Sequence, residues 1–163
     1  GGGRVGWPGA SVRRFRDRLF LLDEETGTWL DTAPAPLSWP HPERLPLGPG
    51  LGELRAEPAA GEGCIADLWR RGPVDVRWRC GGERISPGRG RPRRRLKSLL
   101  REAGVPPWLR DRLPLIYADG ELAAVGDVWL SGDWQAQPGE PGYRLHWAAR
   151  PELGLDSELE RED

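Results

Sequence analysis

The clearest hydrophobic pattern in the chain lies in its middle and predicts an amphipathic helix. Pro92 suits the first helical position, because its fixed φ fits a helix and its missing N–H needs no partner there. Gly104 stands where a C-terminal cap belongs, and Pro106 and Pro107 forbid continuation. Four apolar residues between these limits recur at i, i+3, i+4 and i+7 and so share one helical face: Leu96, Leu99, Leu100 and Ala103.

A second, shorter helix is predicted directly afterwards, over Pro107–Leu113. We expect Trp108 and Leu109 to pack inward and Arg110 and Arg112 to face solvent. Trp108 has the alternative of stacking on a nucleotide, as aromatic side chains do in proteins that read single strands. Its apolar neighbours favour the core position.

Strands with a two-residue alternation flank the two helices. Residues 74–80 alternate apolar and polar side chains, which predicts a half-buried strand with Arg77 and Arg79 on its outer side. Asp119-Gly120 is a strong hairpin signal and predicts that residues 115–117 pair with residues 121–130. A later Pro/Gly turn predicts one more hairpin, between residues 134–137 and 143–148.

The N-terminal half predicts shorter extended segments. Ser11–Leu22 favours a strand, with a short helix as the alternative, and Asp23–Gly27 favours a turn. Thr32–Gly50 holds six prolines, which is typical of extended segments or edge strands, because proline cannot donate to a central ladder. Gly52–Glu57 predicts a strand that Pro58 ends, and Cys64–Arg71 is either a strand or one helical turn.

Together these elements predict an α+β fold. We expect a small, mostly antiparallel sheet or sandwich with one prominent basic helix and a short second helix docked on it. The composition agrees, because 23 glycines and 17 prolines in 163 residues make the chain rich in turns, while nine tryptophans supply large core side chains. The chain contains no methionine, and we interpret it as part of a longer protein.

Charge is concentrated in one stretch. The chain carries a formal net charge of −1, yet Arg84–Arg112, called here the basic segment, holds ten basic residues against two acidic ones. Like charges packed this closely repel one another, so stability does not explain them. A solvated basic face, or a face that docks an acidic protein, is one explanation. The link to a capped helix and a Gly/Pro loop favours an anionic polymer, whose counterions binding would release.

Catalytic and metal-binding patterns are missing from the sequence. It contains no P-loop and no G-x-S-x-G elbow, and we identify no catalytic residue. Cys64 and Cys80 are expected to be reduced and apolar, and with only His41 and His146 besides them no metal site is expected. His146 is interpreted as a satisfied structural histidine. No apolar run is long enough to span a bilayer, and a cytoplasmic location is expected.

The basic segment carries a family resemblance. The run G-R-G-R-P-R-R-R-L-K-S-L-L-R-E-A-G-V-P-P-W-L-R-D-R-L-P-L-I-Y resembles the hallmark of the C-terminal domain of bacterial tRNA(Ile)-lysidine synthetase, which joins a basic (K/R)-x-L-K helix to G-V-P-P-W-x-R and P-L-x-Y. The flanking V-D-V-R-W-R-C-G-G-E-R-I and G-E-L-A-A-V-G-D-V-W-L are similar to neighbouring segments of that domain. The resemblance covers residues 74–130, and more loosely V-R-R-F-R-D-R-L-F-L-L. Pro92 and the replacement of lysine by arginine depart from the pattern.

The resemblance implies a fold shared with a domain of the phenylalanyl-tRNA synthetase beta chain. It also implies an ATP-dependent ligase that attaches lysine to the wobble cytidine of the CAU anticodon of an isoleucine tRNA. The S-G-G-x-D-S motif of the catalytic domain is missing here, so ATP and lysine would be substrates of a part outside this chain. Homo-oligomerisation through the full-length protein is left open.

The resemblance also suggests how the chain is divided. Residues 1–40 would end a preceding substrate-binding region with a Pro-rich linker, residues 41–151 would form the tRNA-recognition domain, and the acidic residues 152–163 a mobile tail. The expected backbone-phosphate contacts are Arg89, Arg91, Arg93, Arg94, Lys97 and Arg101, with Arg77, Arg79, Arg84 and Arg110 in support. Gly88 and Gly90 would let backbone N–H groups approach a phosphate.

Overall fold

The computed structural model describes residues 4–8, 10–23, 34–151 and 153. The N-terminal strands are β1 (Arg4–Trp7), β2 (Ala10–Phe15), β3 (Arg18–Asp23), β4 (Leu37–Ser38), β5 (Leu45–Pro46), β6 (Glu53–Ala60), β7 (Ile65–Ala66) and β8 (Val74–Arg77). The remaining elements are β9 (Arg84–Ile85), β10 (Arg94–Arg95), α1 (Leu96–Glu102), α2 (Pro107–Arg110), β11 (Leu115–Ala118), β12 (Glu121–Val125), β13 (Trp129–Leu130) and β14 (Pro141–Ala148). Two 3₁₀ turns occupy Leu68–Arg70 and Gly132–Trp134.

All strand pairs are antiparallel, which confirms the predicted α+β class. One five-stranded sheet has the order β13-β12-β11-β8-β4, and a four-stranded sheet has the order β5-β6-β14-β7. One hydrophobic core receives side chains from both sheets and from α1, among them Val76, Ile116, Leu54, Trp147 and Leu100. Two small sheets, β1-β2-β3 and β10-β9, complete the described part of the chain.

Helix α1 is shorter than the sequence predicts. Pro92 is not its first residue, because Arg94 and Arg95 pair with β9 as strand β10, and the helix begins at Leu96. The predicted apolar face is confirmed, since Leu96, Leu99, Leu100 and Ala103 are all buried. The C-terminus is a Schellman motif, in which the N–H of Val105 donates to Leu100 O (3.1 Å) and that of Gly104 to Arg101 O (3.2 Å).

The second helix is also shorter than predicted and ends at Arg110. Leu109 is buried as expected, and Trp108 packs edge-on against Phe15 and Phe20 of the N-terminal sheet. The prediction that Arg112 faces solvent is wrong, because its side chain is 4% exposed. Arg112 lies past the end of the helix, so helical spacing does not determine its direction.

The two hairpin predictions have different outcomes. Strands β11 and β12 pair around Asp119 and Gly120, whose φ values of 50° and 78° suit a tight hairpin turn, so the first hairpin is confirmed. Its second strand is shorter than predicted, because it ends at Val125 and Trp129–Leu130 turns back to pair with it as β13. The prediction of the second hairpin is wrong, because β14 pairs along its whole length with β6 and more briefly with β7. Residues 134–137 supply only a single bridge, from Gln135 to Ile65.

Other departures follow from local pairing. Ser11–Leu22 is not one strand, since Arg16 and Asp17 turn the chain between β2 and β3. Pro58 does not end β6, which continues to Ala60; β5 pairs only with the first two residues of β6, so Pro58 stands where β5 no longer covers it. Strands β4 and β5 lie at sheet edges, as the prolines predict, and Cys64–Arg71 contains both a short strand and a 3₁₀ turn.

The predicted boundary at residue 40 stays a prediction. Strand β4, on the N-terminal side of that boundary, pairs with β8, and the buried Trp39 belongs to the main core. The predicted turn at residues 24–27 and nearly all of the predicted tail, including its acidic residues, lie outside the described residues.

Candidate nucleic-acid interface

The loop that opens the basic segment is built on backbone contacts. The buried Ser86 places its hydroxyl 2.7 Å from the carbonyl oxygens of both Gly88 and Arg91, and the N–H of Arg91 donates to Gly88 O (3.1 Å). Residues 87–91, called here the basic loop, also contact the 3₁₀ turn that begins at Gly132, whose N–H donates to Ser86 O (3.2 Å). A side chain at Gly132 would place Cβ 2.3 Å from Gly88 O.

The basic loop presents its two arginines in different ways. Arg89 donates from Nη2 to Ala136 O (2.6 Å), so its side chain lies along the surface of the domain. Arg91 is exposed and lines a large cleft on the described surface, about 960 Å³ in volume. The N–H of Arg91 is already bonded to Gly88 O, so this donor is not available to a phosphate.

Helix α1 carries two exposed cations, Lys97 and Arg101. They are four residues apart and therefore lie on the same side of the helix, about one turn from each other. Neither forms an ion pair with any residue in the part of the chain that the structure describes. These two side chains are free to meet an anion.

Arg93 and Arg94 do not lie on the helix, although the predicted start at Pro92 would have included them, so they do not share a helical face with Lys97 and Arg101. Arg93 pairs with Asp133 (3.2 Å), and Arg94 forms a bidentate pair with Glu102. The hydrogen bond from Arg94 lowers the pKa of the Glu102 carboxyl, and Glu102 in turn raises the pKa of the Arg94 guanidinium. An RNA phosphate would compete with a carboxylate for each of them.

The supporting residues are spread more widely. Arg77 pairs with Asp75 (2.5 Å) and lies over the ring of Tyr117, with its central carbon 4.3 Å from the ring centroid. Arg84 donates to Arg93 O (3.4 Å) beside a cavity of about 300 Å³. Arg79 and Arg110 lie instead at the end of α2. Arg79 pairs with Asp111, and Arg110 donates to the carbonyl of Val105.

The cleft lined by Arg91 also contains basic residues that were not predicted from the sequence as part of a site. Arg91 and Arg94 line it together with Arg144, His146 and Arg150. The alternation of residues 143–148 was the available signal, because it places Arg144 and His146 on the outer side of β14. This strand pairs with β6 at the sequence positions where Arg55 and Glu57 oppose His146 and Arg144.

The structure differs from the sequence predictions for His146 and Cys80. His146 is not a satisfied structural histidine, because its side chain is 63% exposed and its Nδ1 lies 3.9 Å from Asp127 Oδ2. Cys80 is not an apolar core residue but is exposed, whereas Cys64 is buried. The Cys80 thiol donates to the carboxylate of Glu83 (3.4 Å), and this bond raises the pKa of Cys80. Strand β8 ends at Arg77, so the alternation does not reach residue 80.

Within the described ranges, no group of three or more His, Cys, Asp or Glu is arranged to hold a metal ion. The same residues contain no helix long and apolar enough to cross a membrane. The basic loop and α1 present guanidinium and ammonium groups at the surface, and these groups are suited to binding anions.

Comparison with known proteins identifies the family. Residues 74–147 match the family model described as "TilS substrate C-terminal domain". The chain is 36% identical over 151 residues to the tRNA(Ile)-lysidine synthase of Methylococcus capsulatus, covering 88% of this chain and 32% of that protein. It is 38% identical over 137 residues to that of Serratia proteamaculans, covering 83% of this chain and 29% of the relative. The chain thus spans about a third of the length of the curated relatives it matches.

A solved structure agrees in fold. The crystal structure titled as the TILS C-terminal domain superposes with a TM-score of 0.57 at 23% identity, covering 70% of this chain and 97% of that one. Sequence and fold together define the class of the domain, which is the one described as the TilS substrate C-terminal domain. More particularly, the chain belongs to the tRNA(Ile)-lysidine synthase family, as the sequence resemblance indicated.

Proposed function

We propose that this chain is the tRNA-binding C-terminal portion of a tRNA(Ile)-lysidine synthetase. The whole enzyme would be a cytoplasmic ATP-dependent ligase that attaches lysine to the wobble cytidine of the CAU anticodon of an isoleucine tRNA. ATP and lysine would bind in a part of the enzyme outside this chain. The observation that carries the proposal is the family match over residues 74–147, which includes the whole basic segment.

The cations would divide the work according to their present partners. Lys97 and Arg101 are exposed and without an ion pair in the described chain, so they would contact phosphates first. Arg93 and Arg94 would contribute only after exchanging Asp133 and Glu102 for phosphate oxygens. Contacts of this kind fix the position of a nucleic acid and carry little sequence information.

Selectivity would come from shape. The major groove of an RNA helix is deep and narrow, so side chains read its backbone and minor groove instead. The basic loop packs closely against the Gly132 turn, so its position in the domain would be fixed. Arg89 and Arg91 would then bind only RNA whose backbone phosphates lie at a matching separation.

The test is a salt titration of binding to unmodified isoleucine tRNA with a CAU anticodon. We compare the chain with a variant carrying Arg93→Ala, Lys97→Ala and Arg101→Ala. Each lost phosphate contact should flatten the plot of log K against log salt by about one unit, so the triple variant should lose roughly two to three units.

The matched control carries Arg44→Ala, Arg55→Ala and Arg70→Ala. These three arginines lie outside the basic segment, and each pairs with a carboxylate. The control also removes three positive charges, so its net charge changes as much as that of the triple variant. Equal loss in both variants, or no binding at all, would reject the proposal. Stronger competition by polyglutamate than by tRNA would instead favour a surface that docks an acidic protein.

A further inference from the structure

The turn between β2 and β3 places Arg16 beside the C-terminal end of α1. The Nη2 atom of Arg16 donates to Arg101 O (3.1 Å), although the two residues are 85 positions apart in the sequence. Arg16 has a φ of 55°, a left-handed conformation that favours glycine or asparagine in a turn. An arginine here is unusual, and its side chain points to the basic segment.

Four arginines meet at this point. Arg110 donates from Nε to Val105 O (2.9 Å), one turn beyond the carbonyl that Arg16 contacts. Arg79 pairs with Asp111 (2.8 Å), which follows Arg110 directly. Burial, and then repulsion from Arg79, Arg16 and Arg101, lower the pKa of the Arg110 guanidinium. Asp111 is the carboxylate that partly offsets these charges at Arg110.

Capping of the helix does not explain the cluster. The Schellman motif already supplies backbone N–H donors to Leu100 O and Arg101 O, so the carbonyl that Arg16 contacts has another donor. Repulsion among several guanidinium groups opposes folding unless an anion offsets it. Guanidinium groups match the geometry of phosphate oxygens closely.

We propose that Arg16, Arg79, Arg101 and Arg110 form a binding site for a backbone phosphodiester of RNA. This inference rests on the proposed function and extends it, because it adds the N-terminal sheet to the RNA-binding surface. Lys97 lies one helical turn before Arg101, so the site continues the row of free cations on α1. A strand of RNA would follow α1 from Lys97 to the β2–β3 turn.

The test replaces Arg16 by glutamine, which removes the charge and keeps a polar amide at this position. Arg14→Gln is the matched control, since Arg14 is an exposed arginine of β2 whose Nε donates to Arg16 O (3.3 Å) and not to the end of α1, and the change in charge is the same. Binding to unmodified isoleucine tRNA is measured between about 50 and 300 mM salt, a range in which the phosphate term dominates. Lys97→Gln is measured in parallel as a reference for the proposed function.

One phosphate contact amounts to a factor of about eight in affinity at 0.1 M salt, from a slope of roughly 0.9 per contact. Arg16→Gln should therefore weaken binding about fivefold to tenfold and lower the slope by about one unit. Arg14→Gln should match the parent chain, and Arg16→Lys should restore the slope because it keeps a cation.

The outcomes separate the two proposals. If Lys97→Gln lowers the slope while Arg16→Gln behaves like Arg14→Gln, the new site is rejected and the proposed function stands. If Arg16→Gln lowers the melting temperature but not the slope, Arg16 has only a structural role and the site is likewise rejected. If the parent chain shows no salt-dependent binding to this tRNA, both proposals fail.

Discussion

The contact between Gly132 and the basic loop predicts that a single methyl group at position 132 will disturb the loop. In Gly132→Ala, the new Cβ would lie 2.3 Å from Gly88 O, 2.7 Å from Gly88 C and 2.8 Å from Ser86 Oγ. Two of these three atoms belong to the backbone, so no side-chain rotation can relieve the clash. The loop and the 3₁₀ turn must move apart.

The size of the effect follows from these distances. A methyl carbon and a carbonyl oxygen need about 3.3 Å, so the loop has to shift by roughly 1 Å. Overpacking of this kind costs about 1–3 kcal/mol, and the shift also strains the bond of Ser86 to Gly88 O and of Gly132 N–H to Ser86 O. In a protein of this size the melting temperature should fall by about 2–10 °C.

The assay combines thermal unfolding, followed by tryptophan fluorescence, with tRNA binding at fixed salt. Gly88→Ala is the matched control, because it adds the same methyl group to the other partner of the contact. There Cβ meets only side-chain atoms of Arg91, Cδ at 3.6 Å and Nε at 3.8 Å, which are ordinary contacts, and little change is expected. If Gly132→Ala melts within about 1 °C of the parent chain, or no lower than Gly88→Ala, the loop is not held as described.

Two further predictions concern the hydrophobic core and the stability of the fold at low pH. Leu100→Ala removes a fully buried side chain of α1 and should lower the free energy of unfolding by about 2–5 kcal/mol, measured by urea denaturation; a loss below 1 kcal/mol would mean that the helix is not docked. The Glu83 carboxylate accepts N–H bonds from Cys80 and Gly81, which outweigh burial and lower its pKa. The stabilisation is therefore complete above the unfolded pKa and is lost as the pH falls through the folded pKa. Glu83→Gln should cost about 1 kcal/mol at pH 7 and nothing near pH 2, and a difference that does not change with pH would contradict this.

Local patterns predicted local structure. The apolar face of α1, its Gly104 cap and the Asp119-Gly120 hairpin each depend on residues within a few positions, and each is confirmed. The start of α1 depends instead on a partner, because Glu83 O accepts the N–H of Leu96 and β9 pairs with Arg94 and Arg95. Periodicity carries no information about such a partner.

The same limit explains the errors in the sheets. Strand β14 pairs with β6, about 85 residues earlier, and nothing in residues 134–148 distinguishes that partner from a nearby one. For the candidate site, the sequence placed the excess charge correctly in the basic segment. It could not show that Arg93 meets Asp133 or that Arg79 meets Asp111, because those acids are 40 and 32 positions away.

The bidentate pair of Arg94 with Glu102 affects the slope of log K against log salt, which measures the net number of ions released on binding. When a phosphate displaces Glu102, the freed carboxylate attracts cations of its own from solution, so the net number of ions released is smaller than the number of phosphates bound. The same holds for Arg93 and Asp133. A modest slope can thus accompany an extensive interface in this domain. In the proposed complex, each RNA phosphate at Arg93 or Arg94 would therefore have to compete with a carboxylate of the domain itself.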